Sequence, residues 1–228
     1  QIGDQEFEAY PNRDSIAYEH IYGLDGIQHL MRGTLRYAGW HELMLALKSL
    51  NLITDTPVTT GKSSYAELLA NLNNFNLNSL RSDVARKLGL SEDGTVIKAL
   101  DWLGLFDTST QQIQKPTAID VLAELMNRKM GYRKGERDMV ALQHRFRAIF
   151  SDHEEEIRST LFDYGIPNGT SSMARTVSSP MAISVRLILE GKIKLAGIQI
   201  PVDPIIYEPV LAELKTMGIS FIEEVVRT

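Results

Sequence analysis

Residues 138–150 read DMVALQHRFRAIF, and the spacing of the apolar residues within them decides the fold class. Side chains alternate along a strand, so Val140, Leu142, His144 and Phe146 fall on one face and Gln143, Arg145 and Arg147 on the other. A half-buried strand is predicted. The polar SDHEEE comes next, and in IRSTLFDYG the alternation resumes at Ile157 and Leu161, which predicts an antiparallel hairpin with an acidic turn.

Towards the C-terminus, GIPNGTSSMARTVSSPMAISVRLILEG passes from a glycine-bounded loop into a long helix. Val177, Met181, Val185, Ile188 and Leu189 lie on or near one stripe of it, and Pro180 is expected to kink it or mark a joint. DPIIYEPVLAELKTMGISFIEEVV then predicts a helix with Pro204 in its first turn, a stop at Gly218 and a closing strand.

Towards the N-terminus the periodicity changes. WHELMLALKSLNLI sets Leu43, Leu47 and Leu50 at helical spacing, so residues 31–53 read as strand, Gly39 turn and helix. The polar TDTPVTTGKSS opens a helical stretch. There Ser64 and Glu67 have capping-box spacing, NSLRSDVARKLGL ends at a glycine, and Thr117 with Asp120 starts TAIDVLAELMNRKM. Trp102, Leu103 and Leu105 are read as core positions. The predicted fold class is α+β: a mixed, largely antiparallel sheet packed with helices over 1–60 and 131–228, with an inserted all-helical subdomain over 61–130.

The 228 residues are 43% hydrophobic, enough for a packed core, and the formal charge of -5 carries no basic stripe of the kind nucleic acid requires. Cysteine is absent, which excludes disulfides and thiolate metal sites. No apolar run is long enough to span a membrane, and a soluble, intracellular protein is expected. The chain opens on Gln1 with a stretch that starts no recognisable domain, so a fragment lacking its N-terminal part is expected.

Several chemistries lack their motifs. There is no GxGxxG, no GxxxxGK[ST] and no GxSxG, and the histidines at 20, 29, 41, 144 and 153 show no HExxH spacing. No catalytic, dinucleotide-binding or metal-ligating residue is assigned. His144 reads as a core or interface histidine. In GTSSMA, Ser171 and Ser172 stand at a helix start, where free N–H groups favour a carboxylate or phosphate; a simple capping role is the alternative.

The arginines carry more. Arg13 lies in the turn YPNRDS, and MRGTLRYAGW places Arg32, Thr34 and Arg36 two apart, on one face of a strand. Two guanidinium groups on one face repel unless an anion lies between them, and their planar forks suit carboxylates. Ion pairing with the chain's own acids, or across a dimer interface, is the alternative.

These strings resemble a known family. YPNRDSIAYEHIYGLDGIQHLMRGTLRYAGW, GERDMVALQHRF, STLFDYG, SSMARTVSSPMAISVRLILEGKI and IYEPVLAELKTMGI are similar to the C-terminal part of saccharopine dehydrogenases, while the helical insert matches mainly in position, through ALDWLGLF. The resemblance implies a substrate-binding and dimerisation domain of the dehydrogenase C-terminal type carrying a helical insert. A Rossmann domain holding NAD or NADP is expected in a part of the parent absent from this chain. The implied reaction is the oxidative cleavage of saccharopine, a tricarboxylate, to L-glutamate and 2-aminoadipate 6-semialdehyde.

By residue, the resemblance implies that Arg13, Thr34 and Arg36 bind substrate and that Ser171 and Ser172 line the far side. The family's proton-transfer lysine and aspartate match nothing here, so the chain alone is expected to turn nothing over. The implied partners are saccharopine, the N-terminal domain and a second copy; nucleic acid and membrane are not expected. The implied compartment is the cytoplasm, or the mitochondrion for an animal fusion enzyme. A non-catalytic dimerisation module, or a dehydrogenase of another amine-linked substrate such as carboxynorspermidine, stays open.

Overall fold

The computed structural model describes residues 1–12 and 14–227. Its elements run β1 (Phe7–Pro11), α1 (Tyr18–Ile21), β2 (Gly33–Tyr37), α2 (Trp40–Ser49), β3 (Gly61–Ser63), α3 (Tyr65–Asn73), α4 (Leu80–Leu88) and α5 (Thr95–Leu103). They continue with β4 (Gln111–Ile113), α6 (Ala118–Met130), β5 (Met139–Ile149), β6 (Glu154–Tyr164), α7 (Ser172–Leu189), α8 (Pro204–Thr216) and β7 (Ile222–Arg227). The fold is α+β. Where one sheet was expected, the strands form three small ones: β1-β2, β3-β4 and β5-β6-β7.

Two compact units result, one of residues 1, 3–8 and 36–131, the other of 2, 9–35 and 132–228. The helical unit has a dense core in which Leu47, Leu50, Leu69, Ile97, Leu100, Leu105 and Leu125 are at most 1% exposed. Burying each such side chain contributes about 1.5–3 kcal/mol. Its helix starts follow the sequence: Ser64 and Glu67 exchange both capping-box bonds, at 3.1 and 2.8 Å, and Thr117 Oγ1 accepts from Asp120 N–H. Gly39, at φ 88°, brings no side chain to cap α2. Glu8 of β1 supplies the acceptor instead, taking the N–H groups of Gly39 (3.1 Å) and His41 (2.5 Å). Trp102, expected in the core, is 59% exposed, while its neighbours Leu103 and Leu105 are buried. On a helix, adjacent side chains diverge by about 100°, so burying Leu103 turns Trp102 outward.

The second unit is built on the predicted hairpin. β5 and β6 pair antiparallel over eleven positions, from Met139↔Tyr164 to Ile149↔Glu154, and β7 adds to the far edge of β6. One face is polar: Arg145 stands opposite Arg158, and Glu156 neutralises both, at 2.9 and 2.6 Å. The other face offers Leu161 to Ile183 and Leu187 of α7 and to Ile206, Val210 and Leu214 of α8.

Two expectations fail in this unit. On the apolar face of β5, Leu142 and Phe146 are 43% and 47% exposed. The stripe read on α7 is not the buried one either: Val177, Met181, Val185 and Ile188 are each more than half exposed, as is Met173. The helix packs through Ile183 and Leu187, and a position two residues away is rotated by about 200°, onto the opposite side. α7 is therefore apolar on both sides, and periodicity alone picked out the longer stripe. Pro180 lies inside an uninterrupted helix.

Candidate functional site

Strand β2 carries two of the predicted ligands, half-buried Thr34 and exposed Arg36, whose spacing of two places both side chains on one face of that strand. Arg36 has a partner of its own. Arg13 lies outside the described residues. Its flanks are ordered around the residue preceding β2: Asn12 N–H donates to the Arg32 carbonyl (2.9 Å), and Arg32 N–H donates to Ser15 Oγ (2.8 Å). The Arg32 guanidinium lies over the Tyr18 ring, its Cζ 3.8 Å from the centroid, and its Nη1 is buried with no acceptor among the described residues.

Ser171 and Ser172 begin α7. Ser171 Oγ accepts from Ala174 N–H (3.1 Å), the capping role given as the alternative. Ser172 is fully buried, and its hydroxyl donates to the Asp163 carboxylate (2.6 Å), which also faces Arg175 at 3.4 Å. The free N–H groups of this helix start already hold an anion. Asp138, one residue before β5, accepts from Ser172 N–H (2.6 Å) and Met173 N–H (2.8 Å) through its two oxygens. Burial pushes its pKa up, but the two N–H donors outweigh burial and hold the carboxyl below the ordinary aspartate range.

Gly165 makes this junction possible. A Cβ there would overlap Asp138 Oδ1 and come within 3.0 Å of Ser172 N, and Gly165 N–H also donates to the Asp138 carbonyl (2.9 Å). Three segments thus converge on one carboxylate. Asp138 went unread because nothing near it in sequence marks a helix start 34 residues further on. No hydrogen bond among the described residues joins Thr34 to Ser171 or Ser172.

Other locations offer less chemistry. Two hollows of the helical unit, of about 580 and 240 Å³, are lined by residues such as Asn73, Phe75 and Arg86, and Thr56, Val58 and Leu72; none of the predicted ligands is among them. Among the described residues no cluster of three or more His, Asp or Glu can hold a metal ion, and no helix is long and apolar enough to cross a membrane. With no GxGxxG in the sequence and an antiparallel β5-β6-β7 sheet, the residues present do not fit a dinucleotide cofactor.

The comparisons with known proteins agree on one family. The family model described as the saccharopine dehydrogenase C-terminal domain matches residues 1–219. The chain is 34% identical over 220 residues to the saccharopine dehydrogenase [NADP(+), L-glutamate-forming] of Saccharomyces cerevisiae, covering 92% of this chain and 49% of that enzyme. It is also 34% identical over 224 residues to the mitochondrial alpha-aminoadipic semialdehyde synthase of Bos taurus, covering 94% of this chain and 24% of that protein. A solved apo structure of histidine-tagged saccharopine dehydrogenase (L-Glu forming) from Saccharomyces cerevisiae superposes with a TM-score of 0.86 at 32% identity, over 99% of this chain and 53% of that one. The chain thus spans about half of the yeast enzyme and a quarter of the bovine one. With the match running through β2, the β5–β6 hairpin and α7, this chain belongs to the saccharopine dehydrogenase C-terminal domain family.

Proposed function

We propose that the chain is the substrate-binding and dimerisation portion of a glutamate-forming saccharopine dehydrogenase of lysine metabolism. It binds saccharopine while the parent oxidises the secondary amine to an imine and water hydrolyses that imine to L-glutamate and 2-aminoadipate 6-semialdehyde. The observation that carries this reading is the family match over residues 1–219, which includes the arginine-bearing β2 segment. Arg13, Thr34, Arg36 and Ser171 are assigned to the carboxylates and polar groups of the ligand, and buried Ser172 supports them by fixing the start of α7. A tricarboxylate suits this set because the guanidinium fork binds a carboxylate through two parallel hydrogen bonds.

The chain's own residues bind and orient. Hydride acceptance by NAD or NADP and the proton transfers belong to the N-terminal half of the parent, which acts as a homodimer in the cytoplasm or, in an animal fusion enzyme, in the mitochondrion. The test is calorimetric titration of the chain with saccharopine, paired with a steady-state assay using either cofactor. Weak binding that Arg36→Ala abolishes, with no turnover, is the expected result; ordinary turnover by the chain alone would refute the division of labour.

A second reading, a dimerisation module without a ligand, draws on the exposed apolar stripe of Met173, Val177, Met181, Val185 and Ile188. It predicts that Arg36→Ala changes the oligomeric state and no ligand affinity.

A further inference from the structure

Four arginines among the described residues are half-buried: Arg32, Arg81, Arg158 and Arg175. Three of them face a carboxylate, Arg81 with Asp101 at 2.9 Å, Arg158 with Glu156 at 2.6 Å and Arg175 with Asp163 at 3.4 Å. Arg32 faces none among the described residues. The acids of its own segment are committed elsewhere. Asp14 Oδ1 accepts from Ile16 and Ala17 N–H (2.9 and 3.3 Å), Glu19 Oε1 accepts from Gly26 N–H (2.7 Å), and Asp25 pairs with His20.

The position of Arg32 is nonetheless tightly specified. Its backbone is tied at both N–H and carbonyl to Ser15 and Asn12, and the guanidinium carbon sits over the Tyr18 ring. An aromatic face stabilises the cation but accepts none of the in-plane N–H groups, which are the ones that form two parallel bonds to a carboxylate. Nη1 is meanwhile shielded from water with no acceptor among the described residues, and a charged donor left in that condition is costly. The group is held in place, stripped of part of its hydration and has no counter-ion among the described residues. Thr34, also half-buried, follows two residues later.

We propose that Arg32 is a further carboxylate-binding arginine of the substrate site, supported by the Tyr18 ring and completed by a carboxylate of saccharopine. This rests on the saccharopine reading above and adds to it a residue, and an aromatic support, that the sequence left unassigned.

The experiment is NMR observation of the Arg32 side-chain Nε–Hε resonance in the wild-type chain, titrated with saccharopine and, separately, with citrate as an unrelated polycarboxylate. Calorimetry on Arg32→Lys and Tyr18→Leu accompanies it, with circular dichroism as the check on folding. The expected result is a saturable shift of the Arg32 resonance by saccharopine and at least about a tenfold loss of affinity in Arg32→Lys, which keeps the charge and loses the fork. Tyr18→Leu is expected to weaken binding less.

Saccharopine binding with an unmoved Arg32 resonance and unchanged affinity in Arg32→Lys overturns the role of Arg32 and leaves the saccharopine reading standing. A citrate-induced shift with no response to saccharopine keeps Arg32 as a carboxylate ligand and overturns the saccharopine reading. Binding of neither overturns both. Should Arg32→Lys fail to fold, the wild-type resonance alone decides.

Discussion

Replacing Gly165 by alanine tests the junction at the start of α7 with a single methyl group. Its backbone conformation is open to any residue, so the substitution acts through space alone. The new Cβ takes the place of Asp138 Oδ1, and the carboxylate must leave the N–H groups of Ser172 and Met173. Each charge-assisted bond contributes about 1.5–3 kcal/mol, and the displaced carboxylate regains some hydration because Asp138 is only half-buried. The net loss expected is about 2–4 kcal/mol. Both tryptophans, Trp40 and Trp102, belong to the helical unit, so their fluorescence does not report locally on this event. Urea unfolding read from the amide resonances of β6 does. The decisive comparison is a double-mutant cycle with Asp138→Ala. Once the carboxylate is gone, Gly165→Ala retains its approaches to Ser172 N at 3.0 Å and Ser171 Cα at 3.3 Å but not the overlap with Asp138, and a coupling of at least about 1 kcal/mol is expected. A loss below about 0.5 kcal/mol, or simple additivity, would refute the account.

Other expectations are simpler to check. Asp138 titrates below the ordinary aspartate range when folded, so its stabilisation is complete above that range and is lost as pH falls through the lowered value; Asp138→Asn should flatten that acid limb in denaturation measured from pH 2 to 6. His41 is raised above the ordinary histidine value, first by its hydrogen bond to Glu8 at 2.6 Å. Its contribution is therefore present below the ordinary histidine range and lost as pH rises through the raised value; NMR titration should show that elevated midpoint in the wild type and a lower one in Glu8→Gln. In the helical unit, Leu100→Ala should cost about 2–5 kcal/mol in chemical denaturation, whereas Trp102→Ala, at a site 59% exposed, should cost under about 1 kcal/mol. Equal costs would mean that the core is misassigned.

What the sequence disclosed was local. The turn at Gly39 before α2, the Ser64–Glu67 capping box, the Thr117 cap and the β5–β6 hairpin all rest on residues a few positions apart, and the structure has each of them. The boundary of the helical unit needs longer-range information. The sequence marks 61–130 from the polar loop after Ile53, whereas the compact unit runs Arg36–Gly131, because Leu47 and Leu50 of the preceding segment bury themselves in its core. Both apolar sides of α7 satisfy the same periodicity, and only the sheet beneath Ile183 and Leu187 decides between them. The site divides in the same way. The arginines in and just before β2 are legible as a pattern, but that Arg32 faces no acid among the described residues while Arg81, Arg158 and Arg175 each have one is a fact of three dimensions.

The Asp138 junction also imposes an order of events as the chain folds. Its carboxylate and the helix it holds are 34 residues apart, a costly loop to close at random. Zipping of the eleven β5–β6 pairs brings the Asp138 end of the hairpin beside Gly165, and the remaining gap is short. Anchoring of α7 is thus a late step on the way in and an early one on the way out. Substitutions at Asp138 should hasten unfolding far more than they delay refolding.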